Sequence, residues 1–225
     1  MLIEDMVEAT PLGGSRTFKP EEIIEQSEQP RFYSVDHSYE FRPDLFKWLG
    51  SRPLGPPVAR RIGLPADDLS MFAPFELRFD GQLSIISDLF SAGQALFVSE
   101  MVKDIITSID PEAVQAEPVD VKAEDGVKRF YATLPKRSIV PFDVRANEVV
   151  VRREKVDVGI YVADVTTSRC YIFNRDIDES VHVFASLTGG DVFWSDQIVM
   201  ACKERGARGI LVQATYLPTF VSVEM

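Results

Sequence analysis

The same short pattern occurs twice in this chain, as ALFVSEMV at residues 95–102 and as GDVFWSDQIV at residues 190–199. Each copy is an apolar run that stops at a serine, Ser99 or Ser195, and continues with an acidic residue. A serine hydroxyl at that point can accept a hydrogen bond from the free N–H groups of a first helical turn, and the acidic residue is stabilised by the helix dipole. Each copy therefore predicts a strand, a serine N-cap and a helix.

The residues after each serine indicate a helix and then a second strand. Apolar residues behind the first serine recur at helical spacing, and the run ends at Asp110-Pro111, where a helix is disfavoured. Behind the second serine a shorter apolar face ends before Gly206, which is placed as a C′ glycine. Extended segments follow at residues 113–121 and 210–216. The sequence thus predicts two similar strand–serine–helix–strand units, with both serines as structural caps.

The remaining chain is rich in β-branched and aromatic runs bounded by turn residues. These strand-like runs occupy residues 31–39, 129–134, 149–152, 156–164, 169–173 and 181–187. Two other segments, Asp44–Leu49 and Leu83–Phe90, have the character of short helices. Because the strands cluster instead of alternating with helices, we expect an α+β fold in which helices pack on a mainly antiparallel sheet.

The distribution of apolar residues indicates how the chain is divided. Residues 1–27 have little apolar periodicity and include two adjacent glycines, so we expect a mobile or late-docking N-terminal arm. Residues 28–225 are expected to form a single α+β domain, since 45% of the chain is hydrophobic. Residues 50–65 hold many prolines and glycines, which predicts a surface loop or a boundary within that domain.

The charge balance limits the classes of partner. The chain carries 35 acidic and 24 basic residues, for a net charge of −11, and residues 1–50 contribute ten acids against five bases. Such a surface repels nucleic-acid phosphates and anionic membranes and speeds encounter with a basic protein. An acidic surface can also serve solubility alone. Because of the repulsion between this acidic surface and phosphate groups, we expect no direct nucleic-acid or membrane binding.

Two features predict a cytoplasmic protein. The N-terminus reads MLIED, with acidic residues where a signal peptide needs positive charge, and no run approaches the roughly 20 apolar residues of a membrane span. The two cysteines, Cys170 and Cys202, lie in a strand-like run and on an apolar helix face. We expect both to be buried free thiols, as is usual in the cytosol.

The sequence offers little for catalysis. Its two histidines are His37 and His182, and neither belongs to a compact metal-ligand set. Asp36 and Ser38 flank His37, but adjacent residues of a strand point to opposite faces, so we expect Asp36 not to orient that ring. There is no Gly-x-Ser-x-Gly elbow, Walker A sequence or Gly-x-Gly-x-x-Gly motif. We expect no catalytic residue, no metal and no cofactor.

Several of these segments also resemble a known family. They are Phe97-Val98-Ser99-Glu100, Asp125-Gly126 with Phe130-Tyr131 and Asp143, and a closing block at 182–184, 192–196 and 205–210. Over roughly residues 80–217 the chain resembles the immunity-protein family Imm11, formerly the domain of unknown function DUF1629, of bacterial polymorphic toxin systems. The resemblance implies a non-enzymatic protein that binds and neutralises a cognate toxin in the producing cell.

If a toxin is the partner, the acidic runs are the candidates for steering it to this protein. They could also bind a divalent ion or flank a bond in a glycosidase, or be solvated turns. Acids would suit a basic nuclease as the toxin especially well. The candidate partner-binding residues are Glu117, Asp120, Glu124, Asp125, Asp176, Asp178 and Glu179.

Two other functions stay open at this point. An adaptor or chaperone that escorts a secreted effector would use the same kind of binding surface without neutralising anything. An enzyme built on carboxylates would need two acids that converge in a pocket with shifted pKa values. The oligomeric state is not indicated by the sequence.

Overall fold

The computed structural model describes residues 3–21, 31–38, 43–49, 68–72, 75–92, 95–157, 160–167, 173–174, 176–186, 191–214 and 221–224. The described helices are α1 (Ile3–Glu8), α2 (Glu100–Ile109) and α3 (Asp196–Glu204), with 3₁₀ helices at Pro43–Leu45, Leu69–Phe72 and Leu83–Ile85. The described strands are β1 (Ser15–Phe18), β2 (Phe32–His37), β3 (Phe46–Trp48), β4 (Phe75–Phe79), β5 (Leu89–Ala92), β6 (Ala95–Ser99), β7 (Val114–Ala123), β8 (Gly126–Pro135), β9 (Ser138–Ile139), β10 (Val149–Asp157), β11 (Ile160–Thr167), β12 (Val183–Ser186), β13 (Val192–Ser195), β14 (Ile210–Ala214) and β15 (Val221–Glu224).

These strands form three sheets instead of one. The first sheet has the order β3-β4-β7-β8-β6-β5, the second sheet β15-β14-β2-β13-β12-β9, and the small sheet β1-β10-β11. Neighbouring strands are antiparallel except for the parallel pairs β4–β7 and β9–β12. The prediction of an α+β fold with mainly antiparallel pairing is therefore confirmed at that level.

The two larger sheets contain the same order of strands around their helices. We call β5, β6, α2, β7 and β8 the first unit, and β12, β13, α3, β14 and β2 the second unit. Across the sheets these strands run β5-β6-β8-β7 and β12-β13-β2-β14. Ser99 lies opposite Phe130 and Ser195 opposite Phe32, and each of these phenylalanines stands in an Arg-Phe-Tyr sequence. The two serines thus have matching positions in the two sheets.

Alternation along the strands divides the apolar residues between different clusters. On β6, Val98 joins the cluster around α2 and α3, whereas Phe97 points to an aromatic cluster on the other face of the first sheet. On β13, Trp194 joins the helix cluster and Phe193 the opposite one. Period-two alternation produces this two-sided burial. Both helices consequently pack with one face of each larger sheet in a single apolar core.

The two units meet along a seam of backbone contacts. The N–H of Asp88, just before β5, donates to the carbonyl of Arg208 at 2.8 Å, and the N–H of Arg208 donates to the Asp88 carboxylate at 2.9 Å. In the reverse direction, the N–H of His182, just before β12, donates to the Asp110 carboxylate at 3.2 Å. Each unit therefore contacts the helix exit of the other.

Two segments expected as helices are strands for part of their length. Within Leu83–Phe90, only Leu83–Ile85 forms a 3₁₀ turn, and Leu89 and Phe90 begin β5. These two fully buried residues point into the helix core and the aromatic cluster respectively, which a strand allows. Within Asp44–Leu49, residues 46–48 pair with β4 as β3. The predictions of helices there are wrong.

The N-terminal segment lies against the small sheet. Strand β1 pairs with β10, and Met6 and Phe18 are buried with Phe142, Val149 and Val151. The proposed division of the chain into an arm, residues 1–27, and a domain, residues 28–225, stays a prediction. The predicted loop at 50–65, most of the strand expected at 169–173 and Cys170 lie outside the described residues.

Candidate functional site

The two cap serines are buried at the starts of their helices. The Oγ of Ser99 accepts a hydrogen bond from the N–H of Val102 at 3.5 Å, and the Oγ of Ser195 accepts one from Ile198 at 3.4 Å. Both serines are at most 4% exposed. Each side chain thus caps a first helical turn and has little access to solvent.

Ser195 has a second contact that superficially resembles catalytic machinery. Its Oγ lies 2.9 Å from Nδ1 of His182. The nearby carboxylate of Asp110 accepts from the backbone N–H of His182 and pairs with Arg137, so these contacts hold the segment and do not orient the imidazole ring. Triad chemistry needs the carboxylate and the nucleophile on the two different ring nitrogens. The geometry is that of a structural polar cluster.

The expectation for Asp36 and His37 is wrong in one respect. The Asp36 carboxylate lies 2.7 Å from Nδ1 of His37, because it folds back along the strand and accepts the backbone N–H of His37 as well. The Oγ of Ser91 lies 3.0 Å from that same Nδ1. A carboxylate and a serine on one nitrogen cannot relay a proton through the ring.

The Asp110 carboxylate is the most buried charge at the seam, with its side chain 3% exposed. Burial alone would raise the pKa of Asp110, but the hydrogen bonds from Arg137 and from the His182 N–H outweigh burial and lower that pKa overall. Asp110 is therefore held as a carboxylate. Its charge ties the exit of α2 to the start of β12.

One group of predicted site residues lies on the β7–β8 hairpin. Asp120 faces Arg129 across the two strands, with contacts of 2.6 and 3.1 Å, and this hydrogen bonding lowers the pKa of the Asp120 carboxyl. Asp125 in the turn accepts the N–H of Leu83 at 2.9 Å. For Glu117 and Glu124 the structure shows no ion pair within the part of the chain it describes. Of the hairpin acids, Asp120 and Asp125 are thus hydrogen-bonded within the protein, whereas Glu117 and Glu124 are the candidates for contact with a partner.

The other group lies in the loop before β12. Asp178 accepts hydrogen bonds from the Oγ and N–H of Ser180, at 2.7 and 2.8 Å, and these bonds lower the pKa of the Asp178 carboxyl. Asp176 and Glu179 are exposed. Arg31 donates to the carbonyls of Ile177 and Asp178, each at 2.6 Å. The loop is a hydrogen-bonded turn that presents acids to solvent.

One acidic group lies on the β7–β8 hairpin of the first sheet and the other in the loop that precedes β12 of the second sheet. No hydrogen bond or ion pair joins them among the described residues. Over the same residues, no three side chains of the His, Cys, Asp or Glu type come together as a metal site would require. The thiol of Cys202 is buried and free, and burial raises the pKa of this thiol to about 12. A thiol with that pKa is a poor nucleophile.

Sequence reasoning did not single out the exposed apolar side chains. Ile85 is 64% and Val127 is 60% exposed, and Leu12 and Met200 are 55% and 52% exposed. Ile85 lies in the 3₁₀ turn that Asp125 holds, and Val127 follows the hairpin turn. A weak signal was available, since Val127 comes directly after the turn dipeptide Asp125-Gly126.

Comparison with known proteins defines the class. The model of the Immunity protein family (Imm11) matches residues 51–215, which is more than half of the chain. This chain belongs to that family, so the resemblance stated from the sequence is confirmed. The match also begins earlier than residue 80. No curated protein matches the chain.

Both acidic groups and the first unit lie inside the matched region, as do β12, β13, α3 and β14 of the second unit, whereas β2 precedes it. Across the described residues, no helix combines the length and the apolar character needed to span a bilayer. The longest described helix, α2, has ten residues.

Proposed function

We propose that this chain is a non-enzymatic immunity protein that binds and neutralises a cognate protein toxin in the cytoplasm of the producing bacterium. The observation that carries the proposal is membership of the Imm11 family over residues 51–215. The polar clusters add support, because Ser99, Ser195 and His182 are used in caps and seam contacts. The proposal needs no cofactor and no metal.

We further propose that the two units are copies of one strand–serine–helix–strand design that serves as a scaffold for the binding surface. Support comes from the matching strand order and from one repeated contact. The N–H of Ser99 donates to the carbonyl of Asp88, and the N–H of Ser195 donates to that of His182, both at 2.8 Å. Buried residues of this kind hold the fold and leave recognition to the surface.

The partner is proposed to be a basic protein, with a basic nuclease as the best fit. Available acids occur in both acidic groups, at Glu117, Glu124, Asp176 and Glu179, on a chain of net charge −11. Long-range attraction between exposed charges raises the association rate and is screened by salt, with a Debye length of about 10 Å at 0.1 M and about 3 Å at 1 M. Association should therefore slow with salt while dissociation changes less.

The decisive experiment expresses the product of the adjacent gene alone and together with this chain. If the proposal is correct, that product alone stops growth, and co-expression of this chain restores it while the two purified proteins bind with defined stoichiometry. Restoration without binding would overturn the mechanism. Binding without toxicity of the partner would favour an adaptor or chaperone for a secreted effector instead.

A rate measurement tests the electrostatic part. Replacing Asp176, Asp178 and Glu179 together by Asn, Asn and Gln should reproduce part of the slowing of association at low salt. The matched control replaces the exposed ion pair of Glu112 and Lys136 together by Gln and Gln, which removes a carboxylate without changing the net charge. Association rates that do not respond to salt, or an acidic partner, would remove the charge argument.

A further inference from the structure

The β7–β8 hairpin extends beyond β6 on one side, while on the other side β4 pairs with β7 as far as Lys122. Strand β6 pairs only with Phe130–Thr133 of β8, whereas β7 and β8 pair with each other as far as Ala123 and Gly126. The four residues 124–127 at the end of the hairpin are all exposed. We call residues 83–85 together with residues 124–127 the hairpin tip.

The hairpin tip is a fixed structure. Both carboxylate oxygens of Asp125 lie within hydrogen-bond distance of the Leu83 N–H, at 2.9 and 3.2 Å. A Cβ atom added to Gly126 would lie 3.6 Å from Cδ1 of Leu83, an ordinary van der Waals distance, so the hairpin turn lies beside that side chain. The 3₁₀ turn and the hairpin turn are therefore held together, and the exposed Ile85 and Val127 belong to these two joined turns.

The charges at the tip are acidic once the internal pairs are taken into account. Lys122 faces Glu76 at 3.7 Å and Arg129 pairs with Asp120, whereas Lys128 lies over the ring of Phe130 and keeps its charge, so two carboxylates at the tip stand against one base. Lys122 and Arg129 are thus the bases whose charge is offset by a carboxylate, on β4 and on the hairpin respectively. Glu124 and Asp125 border the two exposed apolar side chains without an ion pair among the described residues.

The second unit has no corresponding hairpin. The strands at the positions of β7 and β8 are β14 and β2, which are shorter and come from opposite ends of the chain. Since β14 and β2 are not consecutive in the chain, no hairpin turn joins them. The tip is thus additional to the strands that the two units share. Its two apolar side chains, exposed at 64% and 60%, have an unfavourable hydration free energy that burial against a partner would remove.

We propose that the hairpin tip is the docking anchor for the toxin, with Ile85 and Val127 entering an apolar depression and Glu124 and Asp125 facing basic residues around it. This rests on the proposed function. An apolar centre inside a charged border is the arrangement in which a few side chains determine the dissociation rate and the border charges assist encounter. The occupant is a basic protein because the border is acidic.

The test compares two double variants of the full chain against the catalytically inactivated product of the adjacent gene, by surface plasmon resonance. Ile85→Ser with Val127→Ser should weaken binding at least about tenfold, mainly through faster dissociation. The matched control, Leu12→Ser with Met200→Ser, removes apolar side chains of similar exposure elsewhere and should stay within about twofold of the unaltered chain. Thermal unfolding of each variant verifies that the fold is kept.

The outcomes separate this proposal from the one on which it rests. If the unaltered chain does not bind the product, the proposed function is wrong, and the proposal that the hairpin tip is the docking anchor is wrong as well. If the unaltered chain binds and the tip variant dissociates as slowly as the control variant, the anchor alone is overturned. Equal losses in both variants would also overturn it, because the effect would not be specific to the tip.

Discussion

The strands of the first and second units have the same order across their sheets, but the chain connects them differently. In the first unit, β7 and β8 are consecutive and joined by a tight turn, so the unit closes locally. In the second unit, the strand at the position of β8 is β2, which comes from residues 32–37 and pairs with both β13 and β14. The order of the strands across the two sheets is the same in both. The comparison teaches that this strand order does not depend on chain order, and that the hairpin is what distinguishes the first unit.

The largest effect on stability is expected from disrupting the seam between the two units. Gly209, at the entry to β14, has φ +72°, and a Cβ atom there would lie 2.2 Å from Oγ and 2.4 Å from Cβ of Ser87. Gly209→Ala therefore combines left-handed strain with a clash between the units. We expect a loss of about 3 kcal/mol in the free energy of unfolding, measured by urea denaturation.

A neighbouring glycine supplies the control. Gly206 has the same φ of +72° but nothing within 4 Å of an added Cβ atom. Gly206→Ala should cost only the backbone term, about 1 kcal/mol. Equal losses at the two positions would mean that the close approach of Ser87 to Gly209 contributes nothing, and that the seam is looser than the structure indicates.

The Asp110 carboxylate tests the reverse half of the seam. Asp110→Asn removes the charge that Arg137 and the His182 N–H share, and we expect a loss of about 2 kcal/mol at pH 7. Because the pKa of Asp110 is lowered in the folded state, its contribution is present above the unfolded pKa of about 3.9 and is lost as the pH falls through the lower folded value.

The gap in stability between the unaltered chain and the Asn variant should therefore shrink as the pH falls below about 4. The measurement is urea denaturation across that range of pH. Glu112→Gln is the comparison variant: the pKa of Glu112 is also lowered, by the hydrogen bond from Lys136, but this exposed pair should give a much smaller pH-dependent gap. A gap that is constant with pH would show that the lost packing, and not the charge, is responsible.

Local features of the fold could be predicted from the sequence, and long-range ones could not. The spacing around Ser99 and Ser195 is a local signal, and caps and helices occur where it places them. The insertion of β2 between β13 and β14 has no local signal, because strand pairing depends on residues far apart in the chain. The sequence predicts a helix over residues 83–90 because β5 is buried on both faces and lacks polar alternation.

The same distinction applies to the candidate site. The acids could be named from the sequence, but which of them carry an available charge depends on partners such as Arg129 and Ser180. Ile85 and Val127 could not be separated from buried apolar residues, since exposure is a property of the folded chain. The family, in contrast, was visible in spaced structural residues.

The smallest expected effects concern the two caps, and they sharpen the comparison by revealing a difference between matching residues. Ser99→Ala should cost about 1 kcal/mol, the usual effect of losing an N-cap. Ser195→Ala should cost more, about 1.5 kcal/mol, because Oγ of Ser195 also contacts Nδ1 of His182 at 2.9 Å, whereas the residue in the position of His182 in the first unit is Asp88. Removing His182 as well, in a double-mutant cycle with His182→Ala, should recover that additional part as a coupling energy, since the contact can be lost only once. Partner binding should be preserved in both serine variants at temperatures where they are folded. Equal losses of stability with no coupling energy would mean that the Ser195–His182 contact contributes nothing to the free energy of unfolding. A loss of partner binding with stability intact would make the serines functional and contradict the scaffold role proposed for them.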